Sequence, residues 1–478
     1  MLFNSVDFAI FLPLVFALYW LIPRREIQAQ NLLLLAASYV FYGWWDWRFL
    51  SLIILSSAVD YFVGLELGRR KRPSIRRSLL SLSLAVNIGL LGFFKYFAFF
   101  VDSFADAFTL FGGHIEGCTL HIVLPVGISF YTFQTLSYTI DVYRGKTEPT
   151  RNVIAFFAFV AFFPQLVAGP IERAKNLLPQ FFEARSFDYD HAVDGMRQIL
   201  WGLFKKIVIA DSCAPHVNAI FGNSAEMSGS TLLCGAVLFA FQIYGDFSGY
   251  SDIAIGTARL FGFSLMRNFA YPYFSRDIAE FWRRWHISLS SWFKDYVYIP
   301  LGGSRGGTAP AIRNTFVIFL VSGFWHGANW TFIAWGLLNA LFFLPLMLLS
   351  RNRANLDVVA RGRFLPTLRE GLQVLSTFLL TVLAWIFFRA ESLSHAFAYL
   401  GGLFDASLFS MPRYLPPTLG LLIILMLSTE WLQRDKQYGL EDLQSRLPFP
   451  LRWGLYYALT FLIFMNTSQQ REFIYFQF

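Results

Sequence analysis

The apolar positions of this chain fall in long, nearly unbroken runs at residues 8–22, 31–45, 49–67, 79–100, 122–140, 153–167, 196–209 and 232–263. Further runs occupy 315–325, 330–349, 372–388, 419–432 and 453–464. Such runs predict helices that cross a bilayer. Several are shorter than the ~20 residues of a perpendicular crossing, so about 11 true crossings are expected, with the rest tilted, broken or re-entrant. The first run has no basic leader and no small-residue cleavage site and ends in Pro23-Arg24-Arg25, which predicts a retained helix rather than a signal peptide. With Arg24 and Arg25 on the cytoplasmic side, two more crossings return Arg69-Arg70-Lys71-Arg72 and Arg76-Arg77 to that side. The N-terminus is then expected outside.

Composition points the same way, because 56% hydrophobic and only 15% charged residues leave too little polar surface for a soluble globule. The formal charge of +8 reads as juxtamembrane anchoring to the lipid bilayer, and no basic domain stands apart to bind nucleic acid. Cys118, Cys213 and Cys234 form no C-x-x-C pair, which argues against a disulfide framework, a zinc knuckle or redox chemistry. Without a repeat, linker or long polar stretch, one membrane domain is expected to fill residues 1–478.

Three polar islands interrupt the apolar pattern. At residues 241–252, Gln242, Tyr244, Asp246 and Asp252 stand in an otherwise apolar run. Carboxylates at membrane depth must be paired, hydrated or protonated, so this island predicts either substrate contact or a broken helix that uses Asp246 as an N-cap. Gly245 and Gly249 predict close backbone approach. At residues 274–295, helical spacing aligns Ile278, Phe281, Trp282, Trp285, Leu289, Trp292 and Phe293 on an aromatic stripe. Glu280, Arg283, Arg284 and Ser288 fall on another face, and His286 falls on the stripe. An interfacial anchor and an active-site wall are both compatible with that pattern. The loop Pro300-Leu-Gly-Gly-Ser-Arg-Gly-Gly307 lacks the spacing and terminal Lys-Ser/Thr of a P-loop. Arg283, Arg284, Lys294 and Arg305 suit either lipid headgroups or the phosphates of a carrier such as coenzyme A.

The third island is Val321-Ser-Gly-Phe-Trp-His-Gly-Ala-Asn-Trp330. An intramembrane imidazole is costly and titrates near neutral pH, so His326 is the leading candidate for a general base. Trp325, Asn329, Gln242, Tyr244 and Trp285 are candidates for the surrounding pocket, although Trp and Tyr also serve as interfacial belt residues. No H-x-x-x-H or H-E-x-x-H spacing supports a metal site. His114, His121, His191, His216 and His395 are expected to be ordinary loop or core residues.

Three blocks together resemble the membrane-bound O-acyltransferase family: residues 281–303 (Phe-Trp-Arg-Arg-Trp-His through Pro-Leu-Gly-Gly), residues 244–255, and Phe324-Trp-His-Gly-Ala-Asn-Trp330. The likeness is greatest to its bacterial alginate O-acetyltransferase branch and runs nearly end to end. It implies an all-α integral membrane protein of the inner membrane, with re-entrant and interfacial helices around a central tunnel. His326 matches the family's hallmark histidine and His286 its usual companion. The resemblance further implies acetyl-CoA as a co-substrate rather than a bound cofactor, and a polysaccharide acceptor, most simply an alginate-type exopolysaccharide. Peptidoglycan, cellulose or another envelope glycan are the alternatives, and a periplasmic SGNH-hydrolase-like partner is expected to complete delivery. A transporter would also carry polar islands in apolar segments, but the 281–303 block has no internal counterpart of the kind inverted repeats produce.

Overall fold

A computed structural model describes residues 1–109, 122–167, 169–414, 416–467, 471, 473 and 474, and among these residues the regular structure is helical throughout. Cys118, His114 and His121 lie outside the described residues. Five described helical stretches are long and apolar enough to cross a membrane: Ile27–Arg69, Pro73–Thr109, Gly229–Leu260, Trp330–Leu348 and Leu368–Arg389. Shorter apolar helices follow at Val6–Leu21, Val153–Leu166 and Pro417–Leu432. The first long stretch is two helices, Ile27–Asp46 and Leu50–Arg69, each of 20 residues. At ~1.5 Å per residue, either one spans ~30 Å of hydrocarbon. The tight turn Trp47–Phe49 between them is capped by the Asp46 carboxylate, which accepts from Arg48 N at 3.0 Å.

The described chain forms two compact units, Met1–Ala192 with Thr257–Leu265, and Val193–Gly256 with Met266–Phe478. In the first, Asp60 is fully buried on the Leu50–Arg69 helix. Its carboxylate accepts from Ser83, from Asn87 Nδ2 at 2.9 Å and from Thr139 Oγ1 at 3.0 Å. Neutral donors from the two neighbouring helices thereby satisfy a group that would be prohibitive to bury alone.

In the second unit, the helix ending at Leu203 widens into a π-helical segment, Phe204–Ala210, and continues as Asp211–Gly222. This wide turn carries Lys205 and Lys206, both buried. Against it packs Gly229–Leu260, a 32-residue helix that runs unbroken through Asp246, so of the two alternatives at that position the broken helix does not occur. The reason is that Asp246 has other partners: Lys206 Nζ at 2.6 Å and the backbone N–H of Ile474 at 2.6 Å. The expected close approach does occur, since a Cβ on Gly249 would lie 2.7 Å from the Gly202 carbonyl oxygen.

Candidate functional site

The expected single helix across the second polar island is instead two seven-residue helices, Ile278–Arg284 and Ile287–Phe293. The chain turns at His286, whose φ of 43° lies in the left-handed region. Backbone pairing draws the chain out of helical register here. Ala270 N donates to Arg284 O at 2.9 Å, and Ile287 N donates to Asn268 O at 2.9 Å. The Asn268 side chain then takes Ser288 Oγ at 2.9 Å. Glu280 and Ser288, expected on a polar face, are both buried. Glu280 is neutralised by Arg276 at 3.0 Å and Arg284 at 2.7 Å, and Ser288 is satisfied by Asn268.

His326 is the last residue of the Thr308–His326 helix, and the chain leaves it in extended conformation at Gly327. A side chain at that exit would force the Phe332 ring to move, because a Cβ on Gly327 would lie 2.1 Å from it. Three aromatic rings fix the imidazole: Trp325 at 4.9 Å, Trp335 at 5.0 Å and Phe388 at 5.3 Å between centroids. Trp325 also contacts the His286 ring at 6.0 Å, so one indole is shared by both histidines. The His286 ring also packs edge-on against Phe247 at 4.5 Å between centroids.

Both imidazoles line one cavity of about 260 Å³. His286 is 1% exposed, and neither of its ring nitrogens has a hydrogen-bond partner among the described residues. It lies outside the apolar spans, and burial pushes its pKa from 6.5 down to about 3, so the ring is neutral across the physiological range. Phe319, Phe343 and Met347 form an apolar wall, Ser322 and Thr315 add hydroxyls, and exposed Lys294 and Arg353 bring positive charge to the lining. The space approaches the ~300 Å³ lower end of small-molecule pockets, and its apolar wall with a few converging polar groups has their usual character.

The remaining candidates are distributed differently. Trp285 sits in an aromatic layer with Phe269 at 5.1 Å and Trp385 at 5.0 Å. Tyr244 lies 6.2 Å from Trp285 and donates its hydroxyl to Glu430 at 2.8 Å. Asn329 caps the Trp330–Leu348 helix, accepting from Thr331 N at 3.0 Å and donating to Glu391 O at 3.0 Å. Gln242 and Asp246 line a separate small cavity beside Lys206 and Asp211. Asp252 pairs with Lys205 at 2.6 Å. Arg283 donates to the carbonyls of Asn352 and Asn355, Arg284 is held by Glu280, and Arg305 is exposed. Of the four basic residues suited to headgroups or phosphates, Lys294 alone lines the histidine cavity.

Sequence reasoning missed Ser322 and Arg353. Ser322 had a signal, since it stands one helical turn before His326 on the same face. Arg353 lies in an irregular segment and carried none.

The family profile described as MBOAT, membrane-bound O-acyltransferase family, matches residues 149–388. The probable alginate O-acetylase AlgI of Azotobacter vinelandii is 44% identical over 407 residues, covering 85% of this chain and 78% of that protein. The protein of the same name from Pseudomonas aeruginosa is also 44% identical over 407 residues, covering 85% of this chain and 75% of that one. The peptidoglycan O-acetyltransferase of Helicobacter pylori is 37% identical over 432 residues, 84% of this chain and 80% of that protein.

Proposed function

Because this chain belongs to the membrane-bound O-acyltransferase family and is by that membership an O-acyltransferase, we propose that it transfers acetyl groups from acetyl-CoA to the hydroxyls of an exported polysaccharide. An alginate-type exopolysaccharide is the acceptor favoured by the names of its relatives. The observation that carries the chemistry is a shared cavity containing two buried imidazoles, one of them neutral and unpartnered.

In this proposal the acceptor hydroxyl oxygen attacks the thioester carbonyl carbon while His326 takes the hydroxyl proton. The C–O bond forms, the C–S bond breaks, and the imidazolium returns its proton to the departing thiolate. The products are the acetyl ester and free coenzyme A. His286 positions the thioester beside this base or donates toward the developing oxyanion. Lys294 and Arg353 offer the donor's phosphates charge-assisted hydrogen bonds. The donor then enters from the cytoplasm, and the N-terminus of this inner-membrane protein faces the periplasm, with about 11 crossings around a central tunnel. An SGNH-hydrolase-like periplasmic partner completes delivery to the glycan.

General acid–base assistance contributes about 10²- to 10⁴-fold in rate, so His326→Ala and His326→Gln should abolish detectable transfer with normal membrane insertion. The assay is acetyl ester formed from labelled acetyl-CoA per folded protein, and wild-type transfer by either variant would refute the mechanism. His286→Ala should lose most activity. The likeness to a peptidoglycan O-acetyltransferase makes peptidoglycan the second acceptor to test. Mass spectrometry of envelope glycans from a deletion strain decides between them by which one loses its acetyl esters.

A further inference from the structure

We propose that the indole N–H of Trp282 donates the hydrogen bond that holds the thioester carbonyl in the histidine cavity and stabilises the oxyanion formed there; this rests on the acetyl-transfer reading above. Trp282 lines the cavity together with His286 and His326. Its Nε1 is buried and has no hydrogen-bond acceptor among the described residues. An indole N–H can only donate, so burying it without an acceptor opposes folding unless a ligand supplies one. The ring is fixed in place by edge-on contacts with Phe319 at 5.4 Å, Trp335 at 5.7 Å and Phe281 at 5.4 Å. Trp335 and Trp385 also bury unpartnered indole nitrogens, but neither lines the cavity.

The chemistry of the transfer calls for such a donor. As the acceptor oxygen adds to the carbonyl carbon, the C=O electron pair moves onto oxygen, and the charge returns to carbon when the C–S bond breaks. A rigid donor aimed at that oxygen binds the transition state more tightly than the ground state. Neutral His286 brings no positive charge to the task. Loss of the Trp282 N–H should therefore lower kcat and leave the KM for acetyl-CoA nearly unchanged.

The test replaces Trp282 by 3-benzothienylalanine, which keeps the ring outline and puts sulfur where the N–H stands. The full-length variant is produced in a deletion strain, whose native membranes retain the other components of the system. Release of coenzyme A from acetyl-CoA should show kcat reduced about 10²- to 10³-fold, as for removal of one oxyanion donor. Infrared spectra with carbonyl-13C acetyl-CoA should show a hydrogen-bonded, lowered carbonyl band in the wild type that moves back toward its free position in the variant. Trp282→Phe serves as a second variant, with melting temperature as the folding control. Wild-type kcat, an unchanged carbonyl band, or an effect confined to KM would overturn the proposal. His326→Ala is assayed in parallel. If it is inactive while the Trp282 variant is normal, the Trp282 role alone falls; if it is active, the acetyl-transfer reading falls.

Discussion

Lys206 is the most consequential buried cation in the second unit, because two carboxylates depend on it. Its ammonium lies 2.8 Å from Asp211 and 2.6 Å from Asp246, and the side chains involved are 1% and 3% exposed. Replacing Lys206 by Met leaves both acids facing each other in a desolvated site. Removing one partner of a buried ion pair costs about 3–5 kcal/mol, because the desolvation cost of the other remains without its compensation. That is a large fraction of the ~5–15 kcal/mol by which most folded domains are stable. Thermal denaturation in detergent, followed by size-exclusion recovery, should show a clear fall in apparent Tm. Exposed Lys71→Met is the control and should show little change. A triple variant, Lys206→Met with Asp211→Asn and Asp246→Asn, should recover most of the loss, since neutral replacement of a whole buried cluster is often tolerated. Equal stability of Lys206→Met and Lys71→Met would refute this reasoning. If the triple variant is stable but inactive in acetyl transfer, the cluster has a role in the reaction beyond stability.

Gly327→Ala should displace the exit from His326, because its Cβ would lie 2.1 Å from the Phe332 ring. Overpacking of about 1–3 kcal/mol and loss of transfer are expected, with partial recovery in a Gly327→Ala/Phe332→Leu double variant, read by melting temperature and ester formation. His286 titrates at 6.5 when unfolded and at about 3 when buried, so between those values the unfolded chain holds the extra proton. Stability present above pH 6.5 should therefore decline toward pH 3, by up to about 1.4 kcal/mol per unit, and His286→Gln should flatten that decline in detergent melts. Lys294→Gln with Arg353→Gln should raise the KM for acetyl-CoA with little change in kcat, and the difference from wild type should shrink as salt is added.

The membrane class, the helical runs and the burial of His326 were legible because each follows from local composition: an ionisable ring in an apolar segment is conspicuous in one dimension. The burial of His286 was expected for a reason only half right. Its spacing from Trp282 put it on a buried stripe, and it is buried, but on a left-handed turn rather than along a helix. That turn depends on pairing with Asn268, which helical periodicity within residues 274–295 does not contain. The alternative of a helix break at Asp246 failed for the converse reason. Its partner had been visible all along, since Lys205 and Lys206 interrupt the apolar run at 196–209 and require buried acids as much as Asp246 and Asp252 require cations. Of the basic residues expected to meet phosphate, Arg283 and Arg284 are already engaged by loop carbonyls and Glu280.

These outcomes share one physical distinction, whether a buried polar group is satisfied by the protein itself. Asp60, Asp246, Asp252 and Glu280 each have partners at hydrogen-bond distance, which accounts for their burial through folding. The imidazole of His286 and the indole N–H of Trp282 are buried without such partners among the described residues, and both line the same cavity. Leaving them so opposes folding, and the left-handed backbone at His286 adds strain. Costs of this kind gather where a protein holds groups ready for a molecule other than itself. A thioester carbonyl accepts what the indole offers, and a hydroxyl beside it presents the proton an imidazole can take. Satisfaction is a property of three-dimensional neighbours, so the four acids and the two unpartnered rings look alike as polar interruptions of an apolar sequence and separate only in the folded chain.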